Sequence, residues 1–137
     1  MSPDELREIE IFSGVSDAGL ERVASCSVVV DAAHGQVLTL PDDPGSGAYV
    51  VLEGTVTVEA RGREFEVGAG ETIGELALLV PDHGRVARVR ATDRARCLSV
   101  PREDFVALVE SEPQFALALL RELARRLVEV HAGTVRG

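Results

Sequence analysis

A chain of 137 residues has the length of one domain, able to bury roughly two-thirds of its unfolded surface without help from disulfides or metals. Its 23 acidic residues stand against 14 basic ones, all arginine, and the net charge of -9 repels nucleic acid and anionic membrane surfaces. No apolar run reaches transmembrane length, the acidic start MSPDELREIE is unlike a signal peptide, and four Phe, one Tyr and no Trp leave the core to Val, Leu, Ile and Ala.

The first helix is announced by Ser2-Pro3-Asp4-Glu5, in which Ser2 caps, Pro3 suits the first helical position and Glu5 closes a capping box. A second short helix is predicted after Ser16, with Leu20, Val23 and Ala24 at apolar i, i+3, i+4 spacing. This N-terminal part, residues 1–25, packs on the rest and carries no chemistry. From Cys26 to Val100 the period changes to two. SVVVD, QVLTL, AYVVLEG, TVTVEA, REFEVG, RVARVRA and RCLSV read as short strands punctuated by Gly and Pro, with a tight hairpin turn at Glu53-Gly54. Seven or eight such strands imply an antiparallel sandwich or jelly roll, mainly β with flanking helices. Cys26 and Cys97 fall in apolar stretches of that region and read as free thiols in a reducing cytoplasm.

The helical period returns at Pro101, with Glu103 and Asp104 at the positive end of the dipole and Phe105, Leu108 and Val109 on the apolar face. Ser111-Glu112-Pro113 breaks that helix. A longer one is predicted from Pro113 to His131, ended by Gly133. Ala116, Leu120, Leu123, Leu127 and Val130 alternate by four and three, as in a helix seam. Phe115 and Leu119 are expected to face the β-region, while Glu122 pairs with Arg126 at i, i+4 on the soluble side.

Residues 72–91, TIGELALLVPDHGRVARVRA, hold the chemistry. Gly74 lets backbone approach a ligand closely. Glu75 opens one apolar turn of helix whose free N–H groups suit an anion, and Arg85 offers a planar fork for a phosphate. A carboxylate at Glu75 accepts hydrogen bonds from sugar hydroxyls, so a ligand with one phosphate and a free ribose hydroxyl satisfies both. The plainer reading, a Glu placed for the helix dipole and an Arg in solvent, is the commoner occurrence for these residue types. A dinucleotide loop at Gly68-Ala69-Gly70 through Gly74 fails because the helix after it is too short. His34, His83, His131 and the two Cys show no metal-ligand spacing, and no nucleophile, base and orienting group cluster in the sequence.

Ile73 to Leu79, a short turn, and then Arg85-Val86-Ala87-Arg88-Val89 resemble the phosphate-binding cassette of the cyclic nucleotide-binding domain family. IFSGVSDAGLERVAS, Gly35, PDDPGSGAYVVLEGTV and VPREDFVALVESEPQFALALLRELARRL follow in family order, so the resemblance covers about residues 11–128. It implies an eight-stranded antiparallel β-roll over 26–100 with the cassette at 73–89, helices before it, and two helices over 101–131 behind it. By the same resemblance Glu75 accepts the ribose 2′-hydroxyl and Arg85 pairs with the cyclic phosphate. Gly74, Leu76, Ala77, Val86 and Ala87 line the phosphate with backbone groups, and the last helix covers the purine as a lid. Here Gly84 replaces the usual Pro before the cassette Arg, and Arg88 stands where a small polar residue is common. Val86 replaces the Ala, Ser or Thr that usually follows the Arg. The missing Thr points to cAMP ahead of cGMP.

The function expected from this reading is a single-domain cyclic-nucleotide sensor in the cytoplasm. It has no enzymatic activity, metal or cofactor of its own, and its partners include neither nucleic acid nor membrane. Output runs through a homodimer formed by the C-terminal helix or through a separate effector protein. The alternative is a roll that lost its ligand and serves as a structural or interaction module. A piece of a longer enzyme or transporter remains compatible with the ends of the chain.

Overall fold

The computed structural model of the chain describes residues 1–39, 47–60, 62–73 and 88–136. Helix α1 (Pro3–Arg7) carries the expected capping box: Glu5 N donates to Ser2 Oγ at 3.2 Å, and Ser2 N donates to Glu5 Oε1 at 3.0 Å. Hydrogen bonding from Ser2, its backbone N–H first, holds the Glu5 carboxyl below its usual range. A 310 turn (Glu10–Phe12) leads to α2 (Asp17–Cys26), capped by Ser16. Cys26 therefore ends a helix and does not open a strand, because the helix runs one residue past the expected boundary, with Ser27 N donating to the Val23 carbonyl oxygen.

Six strands follow among the described residues: β1 (Val28–Ala32), β2 (Val37–Thr39), β3 (Gly47–Ala60), β4 (Arg63–Gly68), β5 (Thr72–Ile73) and β6 (Arg88–Pro101). All pair antiparallel in one sheet, in the order β1-β6-β3-β4, with β2 on β6 and β5 on β3. The expected antiparallel β-fold with flanking helices is thus present, and residues 40–46 and 74–87, where further expected strand and turn residues fall, lie outside the described residues. Helices α3 (Arg102–Ser111) and α4 (Pro113–Arg136) close the chain. Gly133 does not end α4, which continues through it to Arg136.

Glu53-Gly54 is not a hairpin turn, since β3 runs unbroken through it. Val51 pairs with Cys97 and Glu53 with Arg96, so Leu52 is an extra residue in β3 with no counterpart in β6. Such a bulge exchanges the faces of every side chain beyond it. Val51 fills the roll before it and Val56 and Val58 fill the roll after it, a change from odd to even positions that pure alternation forbids. Gly54 has a φ of 79°, and a Cβ there would collide with the Arg94 carbonyl oxygen across the sheet. Gly54→Ala combines a left-handed backbone with that overlap and is expected to cost at least about 2 kcal/mol, read as a lowered thermal midpoint. Likewise β6 is one strand where two were expected. Val89, Ala91, Ala95 and Cys97 keep a single inward face through the polar stretch at Thr92–Arg94.

Two cores result. Leu6, Ile11, Phe12, Val15, Leu20 and Val23 from the N-terminal segment meet Phe105, Leu108, Phe115 and Leu119 over Ala48, Val50, Leu98 and Val100 of the sheet. Consecutive residues of β3 and β6 thus serve opposite sides: Val50 and Leu98 face the helices, Val51 and Cys97 the roll. Phe115 stacks on Phe12 with centroids 5.7 Å apart and meets Phe105 edge-on at 5.6 Å. On α4 the expected division holds for Phe115 and Leu119, both buried. The outward stripe, however, is Leu117, Leu120, Leu127 and Val128, since Leu123 is drawn partly into the helical core.

Candidate functional site

The seven residues singled out in the sequence, Gly74, Glu75, Leu76, Ala77, Arg85, Val86 and Ala87, lie outside the described residues. Their frame is described at both ends. Before them, β5 pairs Thr72 with Val50 and Ile73 with Tyr49. After them, β6 pairs Arg88 with Glu59 and Val89 with Val58. Both anchors are on β3, between Val50 and Glu59, roughly 25–30 Å of strand at about 3.3 Å per residue. Ile73 and Val89, at the two ends of the frame, are buried in the same roll core. The described residues on either side of the segment therefore sit in one hydrophobic interior.

The next two cations after Arg85, Arg88 and Arg90, have acidic partners. Arg90 Nε donates to Glu59 Oε1 at 2.7 Å and its guanidinium stands 3.7 Å from Glu64, while Arg88 lies 3.6 Å from Glu59. Arg88, an oddity in the sequence, is thereby bound up in cross-strand pairing on the sheet. Thr57, opposite Arg90, shares a hydrogen bond of 2.6 Å with Thr92, which satisfies a hydroxyl on the nearly inaccessible Thr57.

Sequence reasoning missed the strongest polar feature. Glu122 was expected on a soluble helix face with Arg126, yet only 5% of it is exposed. Its Oε1 accepts from Thr72 N at 2.7 Å and its Oε2 from Thr72 Oγ1 at 2.5 Å. Arg126 does pair with Glu122, at 3.5 Å, and the same guanidinium nitrogen donates to the Thr72 carbonyl oxygen. The signal was present in the spacing: Phe115, Leu119, Glu122 and Arg126 recur by four, three and four, so the two charges continue the stripe that enters the core. A second carboxylate works similarly at the α3–α4 elbow. Glu112 accepts from Ser16 N at 2.7 Å and from Ser16 Oγ at 2.8 Å, fixing the start of α2.

Other chemistry is sparse among the described residues. Burial pushes the Cys97 thiol up to about 11 and raises that of Cys26 as well, so neither is a thiolate near neutrality. Both cysteines are free. No group of three His, Cys, Asp or Glu among the described residues stands ready for a metal ion. No helix of the described residues is long and apolar enough to cross a membrane. A cleft of about 230 Å³ runs between the 310 turn, the β4–β5 turn and α4, with Glu122 in its wall.

Comparison with known proteins agrees with this frame. The chain is 32% identical over 123 residues to the Pycsar effector protein PaPycTIR of Pseudomonas aeruginosa, covering 89% of this chain and 40% of that protein. It is 28% identical over 123 residues to a CRP-like cAMP-activated global transcriptional regulator of Mycobacterium tuberculosis, covering 85% and 54%. The chain thus spans about half, or less, of the length of these relatives. The crystal structure of Thermus thermophilus Catabolite Activator Protein matches with a TM-score of 0.70 at 28% identity, over 91% of this chain and 61% of that one. Residues 29–112, from β1 to the elbow before α4, match the family described as cyclic nucleotide-binding domain. With its helix-flanked antiparallel sheet, the chain is a member of the cyclic nucleotide-binding domain family.

Proposed function

We propose that this chain is a sensor module that binds a cyclic nucleotide, cAMP ahead of cGMP, and performs no catalysis itself. The observation that carries the reading is the coincidence of Glu75 and Arg85 within the one segment that this family fold suspends between β5 and β6. Glu75 accepts the ribose 2′-hydroxyl, Arg85 pairs with the cyclic phosphate, and Gly74, Leu76, Ala77, Val86 and Ala87 supply backbone groups around it. The two free thiols fit a cytoplasmic protein. The Mycobacterium relative, cAMP-activated by name, supports the adenine preference.

Output runs through α4, which covers the purine and presents its outward stripe to a second copy of the chain. Leu120, Leu127 and Val128 are each about 60% exposed or more, and Leu117 joins them one turn earlier. In sedimentation at high concentration, wild type is expected as a dimer and Leu120→Arg as a monomer. A monomeric wild type retires the seam and leaves the stripe to a separate effector.

A thermal titration tests the ligand. A ligand that binds only the folded state stabilises it by mass action, about 2.7 kcal/mol at a hundred times its dissociation constant. The melting temperature is expected to rise with cAMP at lower concentration than with cGMP, and least with 5′-AMP. No rise with any cyclic nucleotide at millimolar concentration replaces the sensor by an interaction module that kept the roll and lost the ligand.

A further inference from the structure

We infer that Glu122 is a positioning residue for nucleotide binding: by clasping Thr72 it sets the root of the segment that carries Glu75 and Arg85. The inference rests on the sensor reading for its ligand, though not for its geometry. Thr72 is fully buried, and its N–H and hydroxyl both end on Glu122 while its carbonyl oxygen accepts from Arg126. The peptide and side chain of one residue are thereby held by a single turn of α4. Only Ile73 separates Thr72 from Gly74, the first residue of the ligand segment.

A carboxylate in this place needs a reason. Burying it is costly unless both oxygens find donors, and a leucine would continue the Phe115–Leu119 stripe at no such cost. The donors it finds are not those of its own helix beyond Arg126 but those of a strand end. The arrangement also works in reverse. If α4 lifts away, Thr72 loses together its partners for an N–H, a hydroxyl and a carbonyl, so the strand end gives up three hydrogen bonds in one step. Movement of α4 and movement of the ligand-segment root are therefore one event. The comparable Glu112–Ser16 grip lies at the surface, where water can replace it, and ties two helices with no bearing on the ligand segment. A root held in advance leaves less ordering to the binding step.

Thr72→Val removes the hydroxyl while keeping the shape, Thr72→Ser restores it, and Glu122→Gln keeps the size but not the charge. Amide exchange is measured on each ligand-free protein, and cAMP affinity by calorimetry. Thr72→Val and Glu122→Gln are expected to speed exchange over residues 72–87 and 118–130 together, with β3 and β6 unchanged, and to weaken cAMP at least tenfold. Thr72→Ser is expected to match wild type within twofold in both. Unchanged exchange over 72–87 in Thr72→Val, or faster exchange with unchanged affinity, overturns the positioning role. Should Glu122→Gln fail to fold, the Thr72 pair decides alone. A wild type that binds no cyclic nucleotide removes the sensor reading instead, and the exchange arm still decides whether Glu122 holds the root.

Discussion

Arg85→Ala is expected to weaken cAMP binding at least about a hundredfold, or about 2.8 kcal/mol, in calorimetry at constant salt. A guanidinium facing a phosphate shielded from water makes charge-assisted bonds that alanine cannot replace, and truncating one partner leaves the other charge without its counterpart. Folding is expected to survive, because Ile73 and Val89 anchor the two ends of the segment in the roll core. Arg88→Ala is the control. Arg88 lies 3.6 Å from Glu59 on a half-exposed part of the sheet, where such a pair contributes little. Its loss is expected to change affinity less than about threefold. Equal affinity for wild type and Arg85→Ala retires the site assignment.

Phe115→Ala is expected to be the most destabilising single change, at about 3–5 kcal/mol. Phe115 is 1% exposed and touches one aromatic ring from the N-terminal segment, Phe12, and one from α3, Phe105. Its removal opens a cavity where three helical elements meet. Against a typical total of about 5–15 kcal/mol this is a large share, on the order of 10–20 °C in melting temperature. Because Phe115 begins the stripe that continues through Glu122, ligand affinity is expected to fall with stability. A loss below about 5 °C means that the aromatic trio is not what docks α4.

The two predictions concern groups of different legibility. Phe115 was readable as a core residue because helical spacing names the face that turns inward. Arg85 was readable as a candidate through the resemblance of the segment around it, since an arginine after a turn has no local feature that distinguishes a ligand partner from a solvated side chain.

The same division runs through the fold. Caps and periods are local, so Ser2, Ser16 and the α3 and α4 stripes announced their helices, and period-two alternation announced the strands. A change of face inside one strand is not local. Glu53-Gly54 has the composition of a hairpin turn, and only the neighbouring β6, pairing Val51 with Cys97 and Glu53 with Arg96, makes it part of one continuous strand just after a bulge at Leu52. Glu122 and Arg126 were read correctly as partners, since i, i+4 spacing is a property of the helix alone. That Glu122 is buried and that the pair clasps Thr72 depends on a strand end fifty positions away meeting α4, and a charge count cannot see it. The sequence by itself determined the order and approximate place of the helices and strands, because those preferences act over a few residues. Only the tertiary structure decided which polar groups meet in the interior, because a buried carboxylate is tolerated solely where distant parts of the chain deliver its donors.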